Sequence, residues 1–178
     1  YFYDFNLASG GNKIFATGFS GSSNQLYEIN RITGAATFIN TITGIPASNL
    51  LISLSADNSG QLYGLRLSTA LNVSAQLMAI NKTTGAATVV GNAGFLANFA
   101  QSGDVDPLTD EFYQASGTSV LGSTGNYSGK GLWKLNKITS FATLVGSGAQ
   151  PFNTLYAMSF AGKEYKYQWS PTTNLSNA

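Results

Sequence analysis

The chain has 178 residues, of which only 10% are charged: nine lysines and arginines against eight aspartates and glutamates, for a net charge of +1. It holds neither cysteine nor histidine, which excludes disulfides, thiolate metal sites, histidine-ligated zinc and the imidazole base of Ser-His hydrolases. Its few scattered cations form no basic run that would release counterions from a phosphate backbone, and no apolar run approaches the roughly 18 to 20 residues that span a bilayer. Neither nucleic acid nor membrane insertion is therefore expected.

The chain opens on "YFYDFNLASGG", which has no basic n-region and no initiating Met; a processed product or an excised piece of a longer protein is expected. The stretch "FYDFN" reads as a short strand, and "GGNKIFATG" as a turn leading into a second. In "QLYEINRITGAATFI", residues 25 to 39, Tyr27 and Ile29 alternate with Leu26, Glu28 and Asn30. A period of two means a strand. Asn30 can bond the backbone ahead of it and Gly34 can take positive φ, so "NRITG" predicts a hairpin with a bulge-type loop, and "AATFIN" a returning β-branched strand.

The same order then repeats. "LISLSA", "NSGQLYGLR" and "QLMAINKTTGAATVV" (76 to 90) follow, with Asn81 and Gly85 in the turn; then "SGDVD", "LTDEFYQAS" and "GLWKLNKITSFATLV" (131 to 145). In the third turn Ser140 stands where the glycine is expected, so that turn is either strained or differently shaped. A fourth, shorter echo is "YAMSF" with "FAGKEYKYQ". Loops around 19 to 24, 67 to 75 and 117 to 130 lengthen along the chain. Leu26 and Leu77 are 51 residues apart, Leu77 and Leu132 55.

A repeat of about fifty residues holding four consecutive strands is the pattern of a β-propeller blade. The fold class expected is all-β, a propeller-like array of four-stranded antiparallel blades spanning about 1–48, 49–100 and 101–150, with a partial fourth at 151–165. The motif L-Y-x-I-N-x-x-T-G-A-A-T resembles the blade repeat of bacterial secreted and cell-surface propellers over roughly residues 1 to 165. The tail 166–178, through Tyr167, Trp169, Pro171 and Leu175, resembles the opening of the immunoglobulin-like, PKD-type modules strung in tandem in bacterial adhesins. Those resemblances imply an extracellular location and a non-catalytic binding, adhesion or display role. Three blades and a fragment do not close a ring, and an open array leaves bare edges and apolar flanks. Self-association or the remainder of a larger parent chain is expected to cover them, and a structural fibre subunit is the alternative role.

Among candidate sites, "GDVDPLTDE" places Asp104, Asp106, Asp110 and Glu111 within eight residues, enough oxygen donors for calcium. The competing reading is a turn, because Asp106-Pro107 opens one and Asp57 holds the same place in "ADNSG". No other cofactor is indicated. A carboxylate-based glycoside hydrolase would need acids from different repeats, such as Asp104 with Glu28. Tyr127 and Trp133, in or beside the longest loop, can stack on a sugar or meet a protein ligand; Trp133, at the position of Tyr27 and Met78, can equally pack between blades. Asn72, Asn81, Asn126 and Asn174 head Asn-x-Ser/Thr sequons, which matter only in a glycosylating export pathway.

Overall fold

A computed structural model describes residues 2–7, 13–47, 49–68, 73–97, 102–116 and 131–147, without the side chains of 2–7, 146 and 147. The fourth repeat fragment, the tail, Tyr127 and the sequons at 72, 126 and 174 lie outside the described residues. Three four-stranded antiparallel sheets form, each a meander in chain order. Sheet 1 holds β1 (Phe2–Leu7), β2 (Ile14–Ser20), β3 (Ser23–Ile29) and β4 (Ala36–Thr41). Sheet 2 holds β5 (Asn49–Ala56), β6 (Leu62–Ser68), β7 (Gln76–Ile80) and β8 (Ala87–Asn92). Sheet 3 holds β9 (Gly103–Val105), β10 (Phe112–Ser116), β11 (Gly131–Leu135) and β12 (Ala142–Ser147). The expected loop at 19 to 24 is shorter than foreseen, since β2 and β3 run on to a two-residue turn at Gly21 and Ser22.

The repeated turn works as its residues dictate. Asn30 Oδ1 accepts the amides of Ile32 and Thr33 at 2.9 and 3.0 Å, and Asn81 and Asn136 do the same for the residues two and three ahead. Gly34 and Gly85 both sit at φ 72°, and Ser140 takes the same left-handed conformation at φ 60°. The third turn therefore keeps the common shape at the cost of strain, which is about 1 to 2 kcal/mol for a residue with a Cβ.

The sheets stack through their faces. β5 packs against β1 on one side and β9 on the other, and all eight of its residues are buried. One core lies between sheets 1 and 2 and gathers Phe15, Leu26, Leu51, Leu54, Leu62, Met78 and Ile80. The other lies between sheets 2 and 3 and gathers Leu50, Ile52, Leu65, Leu77, Phe95, Phe112 and Leu135. Strict alternation would put Leu50, Ile52, Leu54 and Ala56 on one face. A bulge at Ser53, at φ 58°, shifts the register between Ile52 and Leu54, so Leu54 and Ala56 turn to join Leu51 instead. A second bulge recurs in each last strand, at Ile39, Val90 and Val145.

At the junctions between sheets, two repeats solve one steric problem in opposite ways. A Cβ on Gly85 would lie 3.2 Å from the Asn40 Cβ, and one on Gly91 only 2.5 Å from Ser140 Oγ. At each junction a glycine faces one side chain and one backbone carbonyl: Gly85 faces Asn40 and the Thr41 carbonyl in the first, and Gly91 faces Ser140 and the Thr139 carbonyl in the second. Ser140 is fully buried and its hydroxyl finds no hydrogen-bond partner. Ser140→Gly is expected to stabilise the fold by about 1 kcal/mol, through relief of backbone strain and of the orphan hydroxyl. Gly91→Ala should cost about 2 kcal/mol in the native background and somewhat less beside Ser140→Gly, which removes the clash with the hydroxyl but leaves the one with the Thr139 carbonyl oxygen at 2.9 Å. A double-mutant cycle from urea unfolding checks this, and strict additivity would refute the shared-space account.

Candidate functional site

The acids predicted for calcium occupy the turn between β9 and β10 and its neighbours. Asp106 closes the turn on itself, its carboxylate accepting the Leu108 amide at 2.9 Å and the Thr109 hydroxyl at 2.7 Å. Asp104 accepts the Ser55 hydroxyl of sheet 2 at 3.0 Å. Asp110 accepts the Asn58 amide, also from sheet 2, at 2.8 Å. Glu111 pairs with Lys134 at 2.9 Å and accepts the Tyr113 hydroxyl. The four carboxylates are spent on separate partners, and no described group of three or more acids is arranged to hold a metal ion. Glu28 pairs with Lys13 at 2.7 Å on sheet 1, so Glu28 and Asp104 are bound to different partners, the one on its own sheet and the other on sheet 2.

Sheets 2 and 3 are instead latched by Lys137. Its ammonium lies 2.6 Å from Asp110 of its own sheet and 3.2 Å from Asp57 of sheet 2, and 5.8 Å from the centre of the Tyr63 ring. Burial opposes the charge on Asp57, but hydrogen bonds from Ser59 and Gln61 and the Lys137 ammonium outweigh it and hold the carboxyl below its usual range. Burial likewise opposes the charge on Lys137, and Asp110 and Asp57 overcome it and raise its pKa. Burial raises the Tyr63 phenol further, with help from Asp57.

Lys137→Ala is therefore expected to cost about 2 kcal/mol at pH 7, as for a hydrogen-bonded, mostly buried pair. The folded Asp57 pKa lies below the unfolded one, so its contribution is full above about pH 4 and is lost as pH falls through the folded value. Thermal melts should show the variant and the native chain converging at that acid end. A loss that is constant down to pH 2 would count against the latch.

The junction between sheets 1 and 2 holds a different set. Thr17, Asn49, Arg66 and Gln76 stand on the facing surfaces of these sheets, by alternation from Phe15, Leu51, Leu62 and Met78. Arg66 and Gln76 are a cross-strand pair, and Leu51 pairs with Arg66. Beside them Asn24 ties sheet 1 to sheet 2, donating to the Asn49 carbonyl at 3.0 Å and accepting the Leu51 amide at 2.9 Å. Thr17 Oγ1, Asn49 Oδ1, Arg66 Nε and Gln76 Oε1 are buried atoms without a hydrogen bond in the protein. The sequence held no local signal for this group, because its members come from four strands and share one interface only when the sheets face each other.

Trp133 lies flat on Phe95, ring centres 4.9 Å apart and planes at 10°, against the core between sheets 2 and 3. Tyr127 lies outside the described residues, and Asn81 heads its sequon from within the exposed turn described above.

The described chain is all-β, built from antiparallel four-stranded sheets. No protein-family model and no curated protein matches it. Among solved structures it is similar to the PQQ-bound form of an aldose sugar dehydrogenase from Streptomyces coelicolor, with a TM-score of 0.55 and 15% identity. The match covers 86% of this chain and 48% of that one, so the chain spans about half the length of the dehydrogenase. At this identity the likeness concerns the fold alone.

Proposed function

We propose that the three sheets are consecutive blades of an open β-propeller arc, and that the chain is a non-catalytic module for binding or display outside a bacterial cell, with carbohydrate as its ligand class. The stacking of β1 on β5 and β5 on β9 supports the arc, as does the fold similarity to about half of a longer chain. The observation that carries the ligand class is the set of buried, unpaired atoms Thr17 Oγ1, Asn49 Oδ1, Arg66 Nε and Gln76 Oε1, on two buried and two half-buried residues. Unpaired buried donors and acceptors are costly and call for partners. A mixture of one cationic donor, one hydroxyl and two amides suits a ligand that both donates and accepts, as sugar hydroxyls do. Catalysis fits less well: a general acid needs a raised pKa, whereas hydrogen bonds to Leu108 and Thr109 lower that of Asp106 and those to Lys134 and Tyr113 lower that of Glu111.

Binding to an array of glycans, read with the native chain and with Arg66→Ala and Gln76→Leu, tests the reading. Saturable binding that weakens tenfold or more in both variants is expected, with their melting profiles still cooperative. Absence of any glycan bound, or binding indifferent to both changes, would sink it.

A further inference from the structure

The junction between sheets 1 and 2 carries a cation that the repeat does not require. Arg66 stands opposite Leu51 of β5 and Gln76 of β7, on the surface turned toward sheet 1. The same place in the register holds Gly18, opposite Gln25, in sheet 1, and Ser116, opposite Gly131, in sheet 3. Both of those sheets form with an uncharged residue there, so the fold itself does not call for the guanidinium. Lys13, Lys134 and Lys137 each pair with a carboxylate, whereas Arg66 makes no ion pair among the described residues. Its Nε is buried and makes no hydrogen bond. A charge drawn out of water without a partner is costly and calls for an opposite charge.

The neighbours of Arg66 lack donors instead. Gln76 Oε1 is buried and unpaired. In sheet 1 the equivalent Gln25 Oε1 accepts the Tyr27 hydroxyl; in sheet 2 the place of Tyr27 belongs to Met78, which has no proton to donate. Asn49, two residues before Leu51 and on the same face of β5, presents a second unpaired oxygen, Oδ1. Asn24 reaches from sheet 1 to the Asn49 carbonyl and the Leu51 amide at 3.0 and 2.9 Å. Two residues along β3 from Asn24, Leu26 pairs with Thr17, so the unpaired Thr17 hydroxyl stands on that same surface of sheet 1. The set is one cationic donor, two amide acceptors and one hydroxyl that does either. Residues directly opposite each other in a sheet have Cβ atoms about 5 Å apart, so a single sugar ring can reach both Arg66 and Gln76.

We infer that the ligand of this interface is an acidic sugar, whose carboxylate pairs with Arg66 and whose hydroxyls donate to Gln76 and Asn49. The inference rests on the carbohydrate reading above and narrows it. A neutral sugar supplies the donors but leaves the guanidinium without a counter-charge. Sulfate supplies the charge but has no proton for the two amide oxygens. A uronic acid carries both on one ring, and its planar carboxylate matches the fork of the guanidinium.

The test is titration calorimetry of the full chain with oligosaccharides of glucuronate, galacturonate and mannuronate, each beside the same oligosaccharide after reduction of its carboxyl groups to neutral sugar. The native chain should bind at least one acid roughly tenfold or more tightly than its reduced partner, the factor a charge-assisted hydrogen bond supplies. Arg66→Gln, which keeps a polar side chain and removes the charge, should bring the two within about threefold by the same measure. Gln76→Leu should weaken both and leave their ratio in place. The first comparison changes the ligand and not the protein, so it holds whether or not a variant folds well. A native chain that binds neutral glycans as tightly as all three acids, or more tightly, overturns the inference and leaves the carbohydrate reading standing. A ratio undiminished in a cooperatively melting Arg66→Gln chain overturns it as well, because the carboxylate is then held elsewhere. If no glycan binds, neutral or acidic, both readings fall together.

Discussion

Gly44→Ala is expected to be among the most damaging single substitutions in the chain, at about 4 kcal/mol. Gly44 sits at φ 82°, where the added Cβ would lie 2.1 Å from the Ala87 carbonyl oxygen and 3.2 Å from its carbon. The obstacle is backbone, which cannot rotate away. It also stands where the end of sheet 1 joins sheet 2 through a parallel bridge between Thr43 and Ala86, with Ala87 N–H donating to the Thr43 carbonyl at 3.0 Å. Left-handed strain contributes about 1 to 2 kcal/mol and overpacking about 1 to 3 more. Gly94 is the matched control: its φ is 78°, yet a Cβ there would touch nothing within 4 Å. Gly94→Ala should show the backbone term alone, about 1 kcal/mol. Equal shifts of the two urea midpoints at unchanged slope would refute the contact as the cause.

Phe95→Ala should cost about 3 to 5 kcal/mol, the range for emptying a buried phenylalanine site. Phe95 is 1% exposed and carries the stacked Trp133 ring. Its removal leaves a cavity between sheets 2 and 3 and frees the indole face, and a chain of this size should lose on the order of 10 °C in melting temperature. Trp133→Ala is expected to destabilise through the same stack, while Trp133→Phe keeps a flat ring on Phe95 and should lose about 1 kcal/mol or less beyond the difference in area. A Trp133→Ala chain that melts like the native one would return the indole to the list of ligand contacts.

The strands and the hairpins were legible from the residues. Alternation around Tyr27, Met78 and Trp133 marked the third strands, and Asn30, Asn81 and Asn136 marked the turns, because side-chain period and turn chemistry act over a few neighbouring residues. Ser140 was recognised as irregular, but the choice between strain and a different turn needed its φ. The site was less legible. The acids from Asp104 to Glu111 were read as neighbours in sequence, whereas in space Asp104 and Asp110 are bound to residues of another sheet, Ser55 and Asn58. Thr17, Asn49, Arg66 and Gln76 carried no signal at all, since buried polar groups from separate strands have no common spacing.

By itself, then, the sequence determined an all-β chain of repeated antiparallel meanders, with turns fixed by Asn and Gly, because those properties follow from local sterics and hydrogen bonding. Only the tertiary structure decided which face each sheet presents to its neighbour. The bulge at Ser53 reverses the alternation of β5 partway along, so no period read from the residues could assign Leu54 and Ala56 to the right core. It also decided that Asp57 and Lys137, eighty residues apart, form one latch, and that Ile29 stays half-buried while Ile80 at the same place in the repeat is enclosed. Burial depends on what packs against a face, and in a stack of similar sheets that is set by position in the stack and not by the residues of the face itself.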